Sequence, residues 1–402
     1  MNRFTWSLLA IFLLASPAWA DKKITVGQLE DLLRSMQRDK KADVDVATAL
    51  KQVELSEELT RARMNSIIPL VPGPFSTEQI YILEARSADL IPPPSDLPAT
   101  PAPDPAAEKA ILSRTVDYVA HVYDQLPTLA ATRTTLRFQD NYNAVGQSSG
   151  IVGSATEVDT VSPGSLASHH DSYVRYINST ESAVIFEHGS QKFQPADANI
   201  RWGANKMIAL QTADPSLGTV FKEAQASASI QWLRWELING KPAAVFSFSV
   251  PRKNSRLDVK VCCFPKIDQQ GVAHFYTPST ASAFGGDASS GGGVAGDWQT
   301  TTDWHDFRTA VPYHGEFFVD PDTGSVLRLI TQAEFKPSDL VHQVDTRVDY
   351  GTVRAGARTV FVPVKSFINT LVVPGGDSGA QMYSTRTTLF TSEFTTYRTA
   401  AQ

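Results

Sequence analysis

The chain has 402 residues, 42% of them hydrophobic, and its 36 Lys and Arg against 42 Asp and Glu give a formal net charge of −6. This composition is typical of a globular protein, and the length allows two or three domains. A mildly acidic chain without a basic block argues against a nucleic-acid partner, because nucleic acid requires a positive protein surface.

The first 20 residues have the three parts of a secretory signal peptide. Arg3 supplies the positive charge, residues 6–15 form a short apolar run, and Ala18-Trp19-Ala20 supplies a small-residue cleavage site. The apolar run is too short to span a membrane comfortably, and no later run is longer. We therefore expect residues 1–20 to be removed and the product to be periplasmic or secreted, without a transmembrane span.

Residues 21–90 predict a small module of four short helices, the third of which takes in Leu55 and Leu59. Thr25 with Gln28 forms a capping box at the first helix, and Ser76 with Gln79 caps the fourth. The second helix follows Asp43, and the third is entered through Ser56. Mutual packing of amphipathic helices explains such a module, and docking of an envelope protein is the functional alternative.

The rest of the chain predicts a sheet with few helices. Residues 91–106 are proline-rich and indicate an extended linker, which sets the domain boundary. Helical patterns follow only at about 107–125 and 219–231, among many β-branched and aromatic runs, and such strands pair antiparallel because parallel pairing needs crossover helices. The fold class is α+β: a helical module, then a large antiparallel, half-barrel-like sheet in residues 107–402, covered by one or two helices.

The sequence "GEFFVDPDTGSVLRLI" predicts a β-hairpin. Pro321 suits the first turn position and Gly324 can take a positive φ. Pairing Val319 with Ser325 places Phe317 opposite Leu327, and the same register pairs Gly315 with Leu329 and Glu316 with Arg328. One face of this hairpin is then apolar and the other carries a charge pair.

Several short motifs suggest catalysis or metal binding without the partners that such chemistry needs. Gly-Asp-Ser-Gly at Ser378 matches the surroundings of the serine-protease nucleophile, but lies between strands as a turn, and no suitable histidine precedes it. Neither adjacent histidines nor adjacent cysteines on an extended chain can share one metal ion. We predict no enzyme, no cofactor and no metal site at the candidates, which are Ser378, His121, His169, His170, Asp171, Cys262, Cys263, Asp303, His305 and Asp306.

The sheet region resembles the outer-membrane lipoprotein-localisation factors. The resemblance rests on "YHGEFFVDPDTGSVLRLITQAE" (313–334) and "RVDYGTVRAGARTVFVPVKS" (347–366). It implies an incomplete antiparallel barrel whose helices close over a cavity for acyl chains, and it implies no catalytic residues. The whole arrangement is also similar to an exported bacterial family of unassigned function.

Two functions follow as hypotheses. The first is a non-catalytic envelope protein that binds lipid, lipoprotein or another apolar ligand between sheet and helices. The alternative is a structural or interaction protein of the envelope with a fully packed core, and a hydrolase is a distant third. The predicted ligand-lining residues are Phe317, Val319, Leu327, Leu329 and Ala226.

Overall fold

The computed structural model describes residues 22–139, 174–192, 209–210, 216–265, 304–339, 341–372 and 386–400. The described elements form an α+β fold, in which a ten-stranded antiparallel sheet lies between two groups of helices. The sheet is open, ending at different strands on its two sides.

The first part of the chain is the helical module. Its elements are β1 (Lys22–Ile24), α1 (Val26–Arg38), α2 (Asp43–Lys51), β2 (Val53–Leu55), α3 (Arg61–Ile67) and α4 (Pro74–Arg86). The predicted capping box of α1 is confirmed, because Thr25 accepts from the Gln28 amide while the Gln28 side chain accepts from the Thr25 amide.

Two of the predicted helix starts in this module are wrong. Leu55 belongs to β2, which pairs in parallel with β1, and α3 begins only after its cap at Thr60. Similarly, α4 begins at Pro74 and not after the predicted cap Ser76. The hydroxyl and the amide of Ser76 donate to the Asp43 carboxylate of α2 instead. A long-range hydrogen bond thus replaces the local cap that the sequence suggests.

The linker is seated against the rest of the protein. Asp96 accepts from the Arg63 guanidinium of α3, and the carbonyl of Pro101 accepts from the Trp235 indole at 2.8 Å. Two helices follow it, α5 (Pro105–Tyr118), which continues as a π-helical turn over Val119–Tyr123, and α6 (Leu217–Ala226). The sequence predicted that α6 would extend to residue 231, but the chain turns at Ala228, where φ is +48°, and enters a strand at Gln231.

The large sheet has the strand order β5-β4-β3-β15-β14-β13-β12-β11-β8-β7, and all its neighbours are antiparallel. Its strands are β3 (Leu129–Gln139), β4 (Arg175–Glu187), β5 (Ser190–Lys192), β7 (Gln231–Ile238), β8 (Lys241–Val250), β11 (Tyr313–Val319), β12 (Val326–Ala333), β13 (Val341–Ala355), β14 (Arg358–Val372) and β15 (Arg386–Thr399). A smaller sheet contains β6 (Ala209–Leu210), β9 (Asp258–Pro265) and β10 (Trp304–Ala310).

The two faces of the large sheet are covered differently. We call the face under α5 and α6 the inner face; its main hydrophobic cluster includes Tyr123, Phe221 and Phe317. The outer face carries the helical module, whose α4 packs against Phe367 and Leu389. Alternation of side chains along each strand makes this two-sided burial possible.

The predicted β11–β12 hairpin is confirmed, but its register is wrong. Phe317 pairs with Leu329 rather than with Leu327, and Val319 pairs with Val326. The register shifts between Phe318 and Val319, which leaves Leu327 as the extra residue of a β-bulge. A bulge reverses the alternation of side chains on one strand, and ideal pairing cannot anticipate it.

Candidate functional site: an ionic junction between the helical module and the sheet

The inner face contains three of the five residues that the sequence predicts as a ligand lining. Phe317, Val319 and Leu329 all belong to its main cluster and are at most 1% exposed. The Phe317 ring stacks on Phe248, with centroids 4.4 Å apart, and meets Phe221 of α6 edge-on at 5.2 Å. These side chains pack against each other and against the covering helix.

The other two predicted lining residues lie elsewhere. The bulge turns Leu327 to the outer face, where it packs against the cluster containing Phe318 and Ile330. Ala226 is exposed on α6, whereas Ala224 is fully buried. Two residues correspond to 200° around a helix, so these two alanines point in nearly opposite directions.

A buried carboxylate fixes α6 to the inner face. Glu223 accepts from the Tyr313 hydroxyl at 2.7 Å and from the Arg256 amide at 3.0 Å. Burial and the neighbouring Glu223 charge raise the pKa of Tyr313, which therefore keeps its proton for this bond. Burial of a charged group is tolerated here because both carboxylate oxygens have donors.

The outer face contains a set of buried and half-buried charges at the contact between module and sheet, which we call the ionic junction. Its members are Glu58, Arg234, Glu236, Glu316, Arg328, Arg347 and Asp349. Glu58 follows β2 of the module, and the others lie on strands β7, β11, β12 and β13. Alternation along β13 places Arg347 and Asp349 side by side on the outer face.

Glu58 connects the module to the sheet. It is 2% exposed and pairs with Arg347 and with Arg328, whose Nη1 lies 3.3 Å from Glu58 Oε2. The Arg347 Nη1 also donates to the Ala88 carbonyl at 3.0 Å. One residue of the sheet therefore binds the module at both Glu58 and Ala88.

Asp349 holds the two central arginines in place. It accepts from Arg328 Nε at 2.7 Å and from Arg347 Nη2 at 2.9 Å. Burial alone would raise the pKa of Asp349, but both arginines oppose it and hold that pKa well below its usual value. The carboxylate is therefore ionised at every physiological pH.

The junction continues toward the edge strand β7. Arg234 binds Glu316 and Glu236, each at 2.8 Å. Glu236 also lies 3.5 Å from Arg328. Burial and the nearby Glu58 charge raise the pKa of Glu236 to about 7, against the opposing effect of both arginines. Glu316 is thus paired with Arg234, whereas the sequence placed it opposite Arg328.

The ion pairs of this junction attach the helical module to the sheet. Its arginines engage the carboxylates from several sides, and removing one member of such a buried set leaves an uncompensated charge. Secondary contacts extend it, with Lys365 bound to Glu84 at 3.0 Å and Gln332 bound to Asp89 at 3.1 Å. The outer face therefore holds the module in one position.

Sequence reasoning missed Glu58, Arg347 and Asp349. The alternating charges of "TRVDYG" are a signal that could have placed Arg347 and Asp349 on one face, but nothing local identifies Glu58 as their partner. Of the catalytic and metal candidates, His121 is exposed, and its Nδ1 lies 3.2 Å from the Asp117 carbonyl of its own helix. Cys262, Cys263, His305 and Asp306 belong to β9 and β10, and the remaining candidates lie outside the described residues, namely His169, His170, Asp171, Asp303 and Ser378.

Comparison with protein-family models, curated proteins and solved structures found no match for this chain. Among the described residues, no three His, Cys, Asp or Glu side chains are grouped to hold a metal ion. None of the described helices has both the length and the hydropathy needed to cross a membrane.

Proposed function

We propose that the protein is an exported, non-catalytic envelope protein that acts as a rigid scaffold for a protein partner. The observation that carries this proposal is the packing of both sheet faces. Phe317, Val319 and Leu329 are enclosed by α6 and neighbouring strands, while Glu58 ties the module to the outer face. A carrier of acyl chains needs unfilled apolar space, whereas a scaffold needs fixed geometry.

The module offers the partner a small apolar contact. Val44 and Phe75 are 60% and 57% exposed. Asp43 accepts from the amides of Phe75 and Ser76, so the starts of α2 and α4 are held together. Exposed aromatic side chains on a rigid backbone are favoured as interface anchors.

The test is chemical cross-linking in the native envelope. Val44→Ser with Phe75→Ser should abolish one specific cross-linked product while the melting temperature stays within a few degrees of wild type. The matched control is Val122→Ser, because Val122 is also about half exposed but lies in the π-helical turn. Equal loss in both variants would contradict a contact through the module.

The carrier hypothesis is tested on the same preparation. Protein purified from its own envelope should release no stoichiometric lipid on solvent extraction. Recovery of about one lipid per chain would overturn the scaffold proposal in favour of apolar-ligand binding, which the resemblance to the localisation factors implies.

A further inference from the structure

A pocket of about 280 Å³ lies beside the ionic junction, between the module and the outer face of the sheet. The module contributes residues of β2, the end of α4 and the turn after it; the sheet contributes residues of β13, β14 and β15. Its volume corresponds to roughly nine waters at ~30 Å³ each, which is enough for a small molecule.

The pocket combines a cation with acceptors. Arg86 lines it and has no ion-pair or hydrogen-bond partner among the described residues. Asn369 also lines it, and its Oδ1 atom is buried without a hydrogen-bond partner in the described part of the chain. A buried unpaired acceptor costs free energy, which a bound donor would recover.

Two aspartates, Asp89 of the module and Asp345 of the sheet, lie close to each other near Asn369. Asp89 lines the pocket and receives one bond from Gln332. Asp345 receives a bond from Gln343, another lining residue, and pairs across the strands with Asn369. Within the described residues neither carboxylate has an ion pair of the kind that Glu58 and Asp349 have. Burial raises the pKa of both groups, and a bound ammonium group would favour their ionised form and pair with it.

The rest of the wall has four leucines beside the polar residues Glu54, Ser87, Gln343 and Thr387. Leu55, Leu83, Leu90 and Leu371 line the pocket, and no aromatic ring does. A guanidinium selects a carboxylate, buried acceptors select an ammonium group, and leucine side chains select an aliphatic body. We propose that this pocket binds a small zwitterion with an aliphatic side chain, that is, a free amino acid of the leucine type.

The decisive experiment is isothermal titration of the full-length protein with three matched probes. L-leucine carries both charges, leucine methyl ester lacks the carboxylate, and N-acetyl-leucine lacks the ammonium group. Leucine should bind about tenfold or more tightly than either derivative, since each lost charge-assisted hydrogen bond is worth at least that factor. Absence of leucine binding, or equal binding of all three, would overturn the proposal.

Two variants locate the site. Arg86→Gln should weaken leucine binding about tenfold or more and leave the methyl ester unaffected, because the ester offers the guanidinium no carboxylate. Arg34→Gln is the control, since Arg34 is an exposed arginine on α1 and should not alter binding. Unchanged leucine affinity in Arg86→Gln would place any binding elsewhere and so contradict this site.

Discussion

Arg347 of β13 and Glu58 of the helical module form a buried ion pair across 289 positions of sequence. The pair lies in the middle of the ionic junction, where Asp349 supports the arginine from its own strand. The ionic junction therefore adds charge pairing to the apolar packing of α4 in attaching the module.

Replacing Glu58 by Ala should lower the free energy of unfolding by about 3–5 kcal/mol, because it removes the buried carboxylate that Arg328 and Arg347 share. Urea unfolding at pH 7.5 measures this change. The control is Lys23→Met, which breaks the exposed pair with Glu54 and should cost about 1 kcal/mol or less. Similar costs for the two variants would mean that the junction does not hold the module.

Two aspartates on β13 should respond oppositely to replacement by Asn at pH 8. Burial raises the pKa of Asp345 to about 7, so Asp345→Asn should stabilise the protein by roughly 2–4 kcal/mol. Asp349→Asn should destabilise it by a similar amount, because the ionised carboxylate is paired with two arginines. The measurement is chemical denaturation, and a shared sign for the two variants would contradict these assignments.

The same pKa values predict how stability depends on pH. The folded protein retains a proton on Asp345 that the unfolded chain releases near pH 4, so this group lowers stability as pH rises from about 4 to about 7. Asp349 has the opposite effect on stability. Its stabilising contribution is fully present above the pKa that it has in the unfolded chain, and it is lost as the pH falls toward its lower pKa in the folded protein. Melting temperatures between pH 4 and pH 8 should fall less in Asp345→Asn than in wild type.

The turn of the β11–β12 hairpin should be sensitive to a single methyl group. Gly324 has a φ of +74°, and an added Cβ would lie 2.4 Å from the Arg114 backbone carbon of α5. Gly356 also has a positive φ, of +65°, but open space around it. Gly356→Ala should cost about 1 kcal/mol from backbone strain alone, and Gly324→Ala at least about 2 kcal/mol more. Equal thermal shifts would show that the hairpin does not contact α5 in solution.

A pair of alanines on α6 distinguishes a packed inner face from an open one. Ala224→Phe should destabilise the protein by about 1–3 kcal/mol or more, because Ala224 is fully buried in the main cluster. Ala226→Phe should be tolerated, since its side chain is exposed. Thermal unfolding tests both, and a stable Ala224→Phe variant would indicate spare volume suited to an apolar guest.

The sequence predicted the element types well where the signal was local. The capping box at Thr25, the Pro321–Gly324 turn and the alternating strands depend on neighbouring residues, and the structure contains all three. The antiparallel arrangement followed from the lack of crossover helices among the strands.

Predictions failed where a distant residue decides the outcome. Ser76 looks like a helix cap, but Asp43 of another helix takes its hydrogen bonds. Leu327 looks like an inner-face residue until a bulge displaces the register. Glu58 has no local feature that separates it from an ordinary surface acid. Ligand-lining positions chosen from hydrophobicity alone could not distinguish a cavity wall from a filled core.

The large sheet cannot be completed before strand β15 has been synthesised. This strand lies between β14 and β3, so among the described strands residues 386–399 supply the pairing between the three strands on one side and the six on the other. Leu129 at the start of β3 pairs with Thr399, which lies 270 positions further along the sequence. Bringing such distant segments together costs loop-closure entropy before their contacts stabilise the sheet, and this makes folding slow. During synthesis one edge of β3 therefore stays unpaired until β15 has been made, and in this interval a chaperone has most to protect.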